Sequence, residues 1–403
     1  MIPQGYKQTE IGVIPKEWSV LKLQDCASFL DHKRIPIKDS DRKKMRGSYP
    51  YYGASGIIDY VDSYIFDGTY ILLGEDGANI IDRSSRLAFI VNGKCWINNH
   101  AHVIVPTPSI DIYFLSEYLE SIKYDEYNTG TAQPKLNREK CNGIPIAVPS
   151  LNEQKRIAKV LSDVDSMISS LEKLIAKKKA VRQGAMQELL TGKKRLPGFA
   201  GDWENVSLGE IGTITGSGVD KKILPDEQPI TLLNYTNVYH QITIARQDLN
   251  HQVTASYEKI KNCSVMKGDV FLTPTSETPE DIALSAVALE DMEDVVYSYH
   301  VVRLRPKLNH NGAFINYALS TPMFREQAVQ FAEGSGIRYV ITLKKFKEMQ
   351  VYLPIGKAEQ DGIVSILSDM DNEIEALDQK LAKTRQLKQG MMQQLLTGKI
   401  RLV

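Results

Sequence analysis

Two short stretches hold the residues best suited to acid–base or metal chemistry. His100-Ala-His102 places two imidazoles two residues apart, on one face if the segment is a strand. Zinc would need a third and fourth ligand at comparable spacing. The four cysteines, Cys26, Cys95, Cys141 and Cys263, form no CxxC pair, so no metal site is expected. Gly74-Glu75-Asp76-Gly77 offers two carboxylates that could work as an acid or hold Mg²⁺, but a polar turn accounts for it more simply. A GxSxG elbow is broken at Gly53-Ala-Ser55-Gly56-Ile57, and no GxxxxGK[ST] loop is present. The Asn/Asp-Pro-Pro-aromatic pattern of amino-methyltransferases is also missing. The expectation is a chain with no catalytic residues of its own.

What the sequence does offer is a binding surface. Residues 32–46 read HKRIPIKDSDRKKMR and carry Lys33, Arg34, Lys38, Arg42, Lys43, Lys44 and Arg46. A basic loop of this kind can pair with several phosphates and so position a duplex. Tyr51, Tyr52 and Ser55 follow at once, and such groups beside a basic loop suit contact with base edges. Glu75, Asp76, His100, His102, Gln133 and Lys135 complete the candidate set in the first half. In the second half the candidates are Asn234, Asn237, Tyr239, Thr275, Ser276, His300, Arg338 and Tyr339. Each alone is also an ordinary surface polar residue; the loops carry more weight than their members.

The composition agrees with a binding protein without specifying one. At 403 residues the chain is long for a single core and predicts two or more domains. Apolar residues make up 42% and charged residues 24%, as in ordinary globular proteins. Lys+Arg and Asp+Glu are both 49; a zero net charge still allows a basic face balanced elsewhere. The cysteine usage fits reduced thiols in the cytoplasm. The N-terminus has no apolar run fit for a signal peptide, and no stretch is long and apolar enough to cross a membrane.

Two elements must hold these surfaces. QELLTGKKRL begins at Gln187 and QQLLTGKIRL at Gln393, a separation of 393 − 187 = 206. Sliding the chain by that amount aligns residues 153–196 with 359–402, without a gap and with 22 identities in 44 positions. This is an internal duplication. Within it, Ile157, Leu161, Val164, Ile168, Leu171 and Ile175 alternate steps of four and three. Ile363, Leu367, Met370, Ile374, Leu377 and Leu381 do the same. That is a coiled-coil seam, and the shared register predicts two long helices packed antiparallel on each other. Ser150-Leu-Asn-Glu153 reads as a capping box. Gly192 and Gly398 sit where a left-handed stop belongs. Each helix would run about 58 Å.

The remaining residues form two globular parts of short strands and turns, echoing each other weakly. Trp18 with Leu23 matches Trp203 with Leu208, and His102-Val-Ile-Val-Pro106 matches His300 through Pro306. The predicted fold is α+β: two mixed α/β domains joined by two long antiparallel coiled-coil helices in a pseudo-two-fold repeat. The expected boundaries are 1–150, 151–192, 193–355 and 356–403.

With the duplicated helix and its ELLTGKKRLPGF ending, the chain resembles the specificity subunit of type I restriction–modification enzymes. YKQTEIGVIPKEW, YPYYGASGIIDY, INNHAHVIV and LNEQKRIAKVLSDVDSMI carry the same resemblance. The resemblance implies two target recognition domains, each reading one half of a split site in double-stranded DNA. It implies helices that fix the spacing and dock two modification (methyltransferase) subunits. S-adenosylmethionine, ATP and Mg²⁺ would belong to the partner subunits, and cleavage to restriction subunits. Thr273-Pro274-Thr275-Ser276 stands where the first half has Gly74-Glu-Asp-Gly77, a departure at the second domain's reading loop. Alternative readings are a methyltransferase-only or type IIB-like system, an enzyme fusion, and a coiled-coil scaffold that binds no DNA.

Overall fold

The computed structural model describes residues 2–403. It divides into two compact units: residues 2–173 with 378–403, and residues 174–377. Each unit takes one strand-rich module and part of each of two long helices, Leu151–Leu189 and Lys357–Leu395.

The module of the first unit is built on a six-stranded mixed sheet. Its order is Ala27–Phe29, Ala101–Pro106, Phe66–Gly74, Ala88–Ile97, Arg46–Gly53, Gly56–Val61. Every pairing is antiparallel except that of Arg46–Gly53 with Ala88–Ile97. Ile71, Leu73, Ala88 and Ile104 turn one face onto the helix Ile112–Ser121, where Phe114, Leu115 and Leu119 are buried with them. Asp111 caps that helix, accepting from the backbone N–H of Tyr113 and Phe114. A two-stranded ribbon, Ser19–Lys22 with Pro145–Val148, leads into the first long helix.

The second module keeps this framework. Gly212–Gly216, Val302–Pro306, Val270–Leu272 and Ser285–Ala288 lie side by side in the same order as their counterparts, with a short fifth strand, Thr243–Ile244, at the edge. Helix Gly312–Ala318 packs beneath, and the ribbon Trp203–Ser207 with Gln350–Pro354 leads into the second long helix. A four-stranded sheet (Gln252–Ala255, Gln228–Leu233, Met292–Tyr297, Ser264–Val265) has its own buried cluster, and its parallel pair Gln228–Leu233 with Met292–Tyr297 stands where the first module pairs Arg46–Gly53 with Ala88–Ile97.

Strand register corrects one sequence match. Leu73 pairs with His102, and Leu272 pairs with Val302. Ala27 pairs with Pro106 and Gly212 with Pro306. The counterpart of His300 is therefore His100, not His102. The histidines looked alike in sequence, but only the ladder fixes which one begins the strand.

The helices pair antiparallel within each unit. In the first, Lys388 bonds Asp165 at 2.7 Å and Glu117 at 2.8 Å, while Arg385 bonds Glu172 at 2.6 Å. In the second, Lys178 bonds Glu373 at 2.7 Å and Arg182 bonds Asp371 at 3.2 Å. As one residue number rises, its partner's falls. The seam is shared, however, between the helix pair and the modules. Ile157 and Leu161 are buried in the first module's core together with Leu395 and Leu396. Ile363 and Leu367 are buried in the second with Met186, Leu189 and Leu190. Leu171, Ile175, Ile374 and Leu381 are buried farther along, while Val164, Ile168, Met370 and Leu377 are half-buried. The amphipathic stripe is wide enough to serve both surfaces.

The repeated ending closes each unit. Arg401 holds Glu153 through two bonds of 2.6 and 2.9 Å, and Arg195 holds Glu359 through two of 2.6 and 2.7 Å. Their guanidinium groups lie 5.8 Å from the Trp18 ring and 5.7 Å from the Trp203 ring. Gly398 and Gly192 take φ near +69° and +68°. A Cβ on Gly398 would fall 2.5 Å from Pro15, and one on Gly192 would fall 3.2 Å from Trp203. Ile400 N–H donates to Gln394 O and Lys194 N–H to Glu188 O, so the chain at each place folds back over its left-handed glycine and satisfies a carbonyl of the last helical turn. The capping box at Ser150 is half formed. The Ser150 hydroxyl accepts from Glu153 N–H at 3.3 Å, but the Glu153 side chain turns to Arg401 and Trp18 instead.

Candidate nucleic-acid interface

At one end of the first sheet the loops after Phe29, Gly74 and Ile97 converge with residues 128–136. Arg34 donates to Glu75 at 2.7 Å and to the Ala101 carbonyl at 2.8 Å. Lys135 lies 3.4 Å from Glu75 and forms a β-bridge with Asp76. His100 contacts the Asp76 carboxylate at 2.8 Å. These five residues, far apart in sequence, are one cluster. Gln133 is exposed in the adjoining loop, and Ser55 is exposed at the tip of the hairpin Arg46–Gly53/Gly56–Val61.

His102 lies beneath them, buried, and so do not all candidates face outward. Its Nδ1 faces Asp31 at 2.7 Å and its Nε2 the Leu136 carbonyl at 2.9 Å. With an acceptor at each nitrogen, both carry protons. Burial opposes the charge, but the Asp31 hydrogen bond outweighs it and pushes the imidazole up to about 10. Burial likewise opposes ionisation of Asp31, whose carboxyl is nonetheless held below the usual range by His102. Asp31, missed in the sequence, precedes the basic run and ties it to the sheet through Val103 N–H at 2.9 Å.

The His102 contribution to stability is complete below the ordinary imidazole pKa and is lost as pH rises through about 10. The Asp31 contribution is present above the ordinary carboxyl pKa and is lost as pH falls below it. His102→Gln should therefore cost about 3–5 kcal/mol between these limits. The gap to wild type should close toward pH 10. Denaturant unfolding across pH checks this, and a gap that widens with pH would contradict the pairing.

Tyr51 is also buried, against Val61 and Trp96. Its hydroxyl accepts from Ile37 N–H at 3.2 Å, and Arg42 lies 5.2 Å from its ring. It anchors the basic loop from inside and presents no edge to a ligand. Tyr52 is half-buried against Phe89. Lys33, Lys43, Lys44 and Arg46 are exposed, with Lys43 and Lys44 paired to Asp39 and Asp41 at 2.9 and 3.6 Å. Such exposed pairs are weak and open readily to a phosphate.

In the second unit Thr275 and Ser276 pair with Val340 and Tyr339, beside Arg338 at the tip of a hairpin. Tyr239 stacks on Tyr235 at 5.7 Å, and Tyr235 donates to the Thr275 carbonyl at 2.9 Å. Asn234 and Ser276 are buried. At the start of the helix Tyr235–His240 the Asn237 side-chain oxygen accepts from the Asn234 backbone N–H at 2.9 Å, and the Asn234 side-chain nitrogen bonds His251 at 2.8 Å, while its Oδ1 has no partner among the described residues. The Asn237 side chain and the Asn234 amide nitrogen are spent on local structure, a role that short polar side chains near a helix start commonly take. Burial, with Lys221 and Arg338 next, holds His300 below the usual imidazole range. Lys221 and Lys222 are exposed on the loop after Gly212–Gly216, the counterpart of the first module's basic loop. Sequence reasoning missed them; their position after the matching strand was the available signal. One framework thus carries an acid–imidazole pair in one module and a cation-flanked imidazole in the other.

Among the described residues, no cluster of His, Cys, Asp or Glu is placed to hold a metal ion, and no helix is long and apolar enough to cross a membrane.

The architecture is that of a protein with two homologous recognition modules mounted on a helix pair. The family model for the type I restriction modification DNA specificity domain matches residues 15–180 and again 200–385. The chain belongs to this family: it is a type I restriction–modification specificity subunit with two target recognition domains. It is 23% identical over 421 residues to the type I restriction enzyme MjaVIII specificity subunit of Methanocaldococcus jannaschii, covering 99% of this chain and 96% of that one. A putative type I restriction enzyme specificity subunit of Haemophilus influenzae is 35% identical over 153 residues, 38% of each chain. The crystal structure of the S subunit from M. genitalium shares the fold, with TM-score 0.63, 14% identity and coverage of 98% and 99%.

Proposed function

We propose that this chain selects the DNA sequence on which a type I restriction–modification enzyme acts. Each recognition domain reads one half of a bipartite duplex site. The helices set the distance between the halves and dock two modification subunits. The assembly methylates adenine and, with restriction subunits, cleaves DNA. The chain is not itself an enzyme: S-adenosylmethionine, ATP and Mg²⁺ bind to its partners. It works in the cytoplasm, where the DNA is. The supporting observation is one framework built twice with different residues at its loop end, His100 with Asp76 in one and His300 with Lys221 and Arg338 in the other. Shared scaffolding with divergent loops is what two recognition tasks require.

The purified chain alone should transfer no methyl group to DNA, because none of the motifs for such transfer is encoded. Adding a modification subunit should restore both transfer and a sequence-specific gel shift. Methyl transfer by the chain alone would refute the non-catalytic reading, and a shift without sequence preference would refute the recognition role.

A further inference from the structure

The second module carries an apolar point at the end of a reading loop. Glu333–Ser335 and Arg338–Val340 form a hairpin whose two-residue turn is Gly336-Ile337. Ile337 is 86% exposed. Single exposed isoleucines are ordinary on a surface, but this turn gives no reason for one. Gly336 takes φ +70° and Ile337 keeps a negative φ, the pattern of a type II′ turn. Such a turn asks for glycine first and is usually completed by a short polar residue. The isoleucine therefore serves neither the turn nor the core.

Beneath its tip the hairpin is firmly mounted. Its inner strand pairs with Thr275 and Ser276, and the next residue along, Ile341, is buried and donates its N–H to Pro274 O at 2.9 Å. Around the tip the charge is positive. Arg338 follows directly and is exposed. After burial, Lys221 and Arg338 oppose protonation of His300, which places these three together. Glu333, the hairpin's own acid, is taken up by Lys345 at 2.8 Å. The first module differs here. There Lys135 bridges Asp76 as Tyr339 pairs with Ser276, but the loop before Lys135 exposes Thr131, Ala132 and Gln133, with no large apolar side chain among them.

We propose that Ile337 enters the DNA stack, parting two neighbouring base pairs of the half-site read by the second module and kinking the duplex there. Apolar side chains on a rigid mount do this in proteins that bend DNA, and the contacts that the bend allows offset the lost stacking. Arg338 and Lys221 take phosphates beside the parted step. Pyrimidine–purine steps part most readily, so the wedge selects such a step without a hydrogen bond to any base. The first half-site meets no wedge and stays stacked. The inference rests on the reading that the second module binds one half of the site, and it names a residue that selects sequence there and the kind of step it selects.

The test uses the full chain with its modification subunit and a duplex carrying its mapped methylation site. 2-Aminopurine, which brightens on unstacking, replaces in turn each adenine of the second half other than the methylated one. One step should brighten with the wild type. Ile337→Ser places a short polar residue in the turn, so an unchanged Tm shows that it folds. This variant should lose the brightening and bind the site at least about tenfold more weakly, with non-specific binding unchanged. Ile337→Met should restore both signals. Replacing the brightened step by one that is not pyrimidine–purine should weaken the wild type and not the serine variant. Equal brightening with Ile337→Ser, or none with the wild type, overturns the inference and leaves the functional reading standing. Loss of the modification subunit by the serine variant without DNA does the same, since it assigns the tip to a protein contact. A wild-type complex with no preference for the site overturns both.

Discussion

A chain whose residues 1–150 are exchanged for the matching domain of a relative is expected to methylate sites with one half replaced and the other unchanged. The join falls between the ribbon Pro145–Val148 and the helix starting at Leu151. The residues the incoming domain docks onto are then kept, among them Glu153, Ile157 and Leu161 on one helix, Leu395 at the end of the other, and Leu396 and Arg401 just past it. The loop cluster of Arg34, Glu75, Asp76, His100 and Lys135 leaves as a unit. Each mismatched base pair costs roughly 1–3 kcal/mol, so over several base pairs the switch should be complete in a genome-wide map of methylated adenines. Simultaneous change of both halves, or of neither, would show that recognition is not divided between the modules.

Arg401→Ala should cost the first unit about 3–5 kcal/mol, because it leaves a buried carboxylate without its counter-ion. Glu153 is only 2% exposed, and its remaining partner is the Trp18 indole N–H at 3.1 Å. The bond to Glu153, supported by Glu17 at 2.9 Å, holds the Arg401 guanidinium firmly charged. Arg401→Lys keeps a charge but loses the two-pronged geometry and should fall between. Adding Glu153→Gln to Arg401→Ala should recover part of the loss by removing the stranded charge. In the second unit Arg195→Ala should cost at least as much, since Glu359 is 3% exposed and the Trp203 indole nitrogen makes no bond to it, so this carboxylate lacks the second bond that Glu153 keeps. Hydrogen exchange in residues 151–165 for the first unit and 357–371 for the second, with denaturant unfolding, measures both. A loss under about 1 kcal/mol from Arg401→Ala would show that Glu153 finds solvent instead.

The duplication itself was legible in one dimension. Its helices announce themselves by a seam of alternating fours and threes, and helix formation depends on neighbours a few residues away. Gly192 and Gly398 could be named as helix stops because a left-handed residue has few solutions. The division of the seam between helix and module was not legible, since an apolar stripe says that it is buried but not against what. The candidate surface divided in the same way. Lys33, Lys43, Lys44, Arg46, His100, Gln133 and Lys135 are exposed, because charged side chains avoid burial unless paired. Tyr51, His102, Asn234 and Ser276 are buried; their polarity reads identically for a ligand contact and for an internal bond.

From the sequence alone come the two-module plan, the paired helices and the family, each carried by local periodicity or by repetition. The tertiary structure alone decided three pairings: Glu153 with Arg401 rather than its own helix start, His102 with Asp31, and His300 as counterpart of His100. Each joins residues remote in the chain, and such partners are chosen by strand register and by the cost of leaving a charge buried and unpaired, quantities that exist only once the chain has closed on itself.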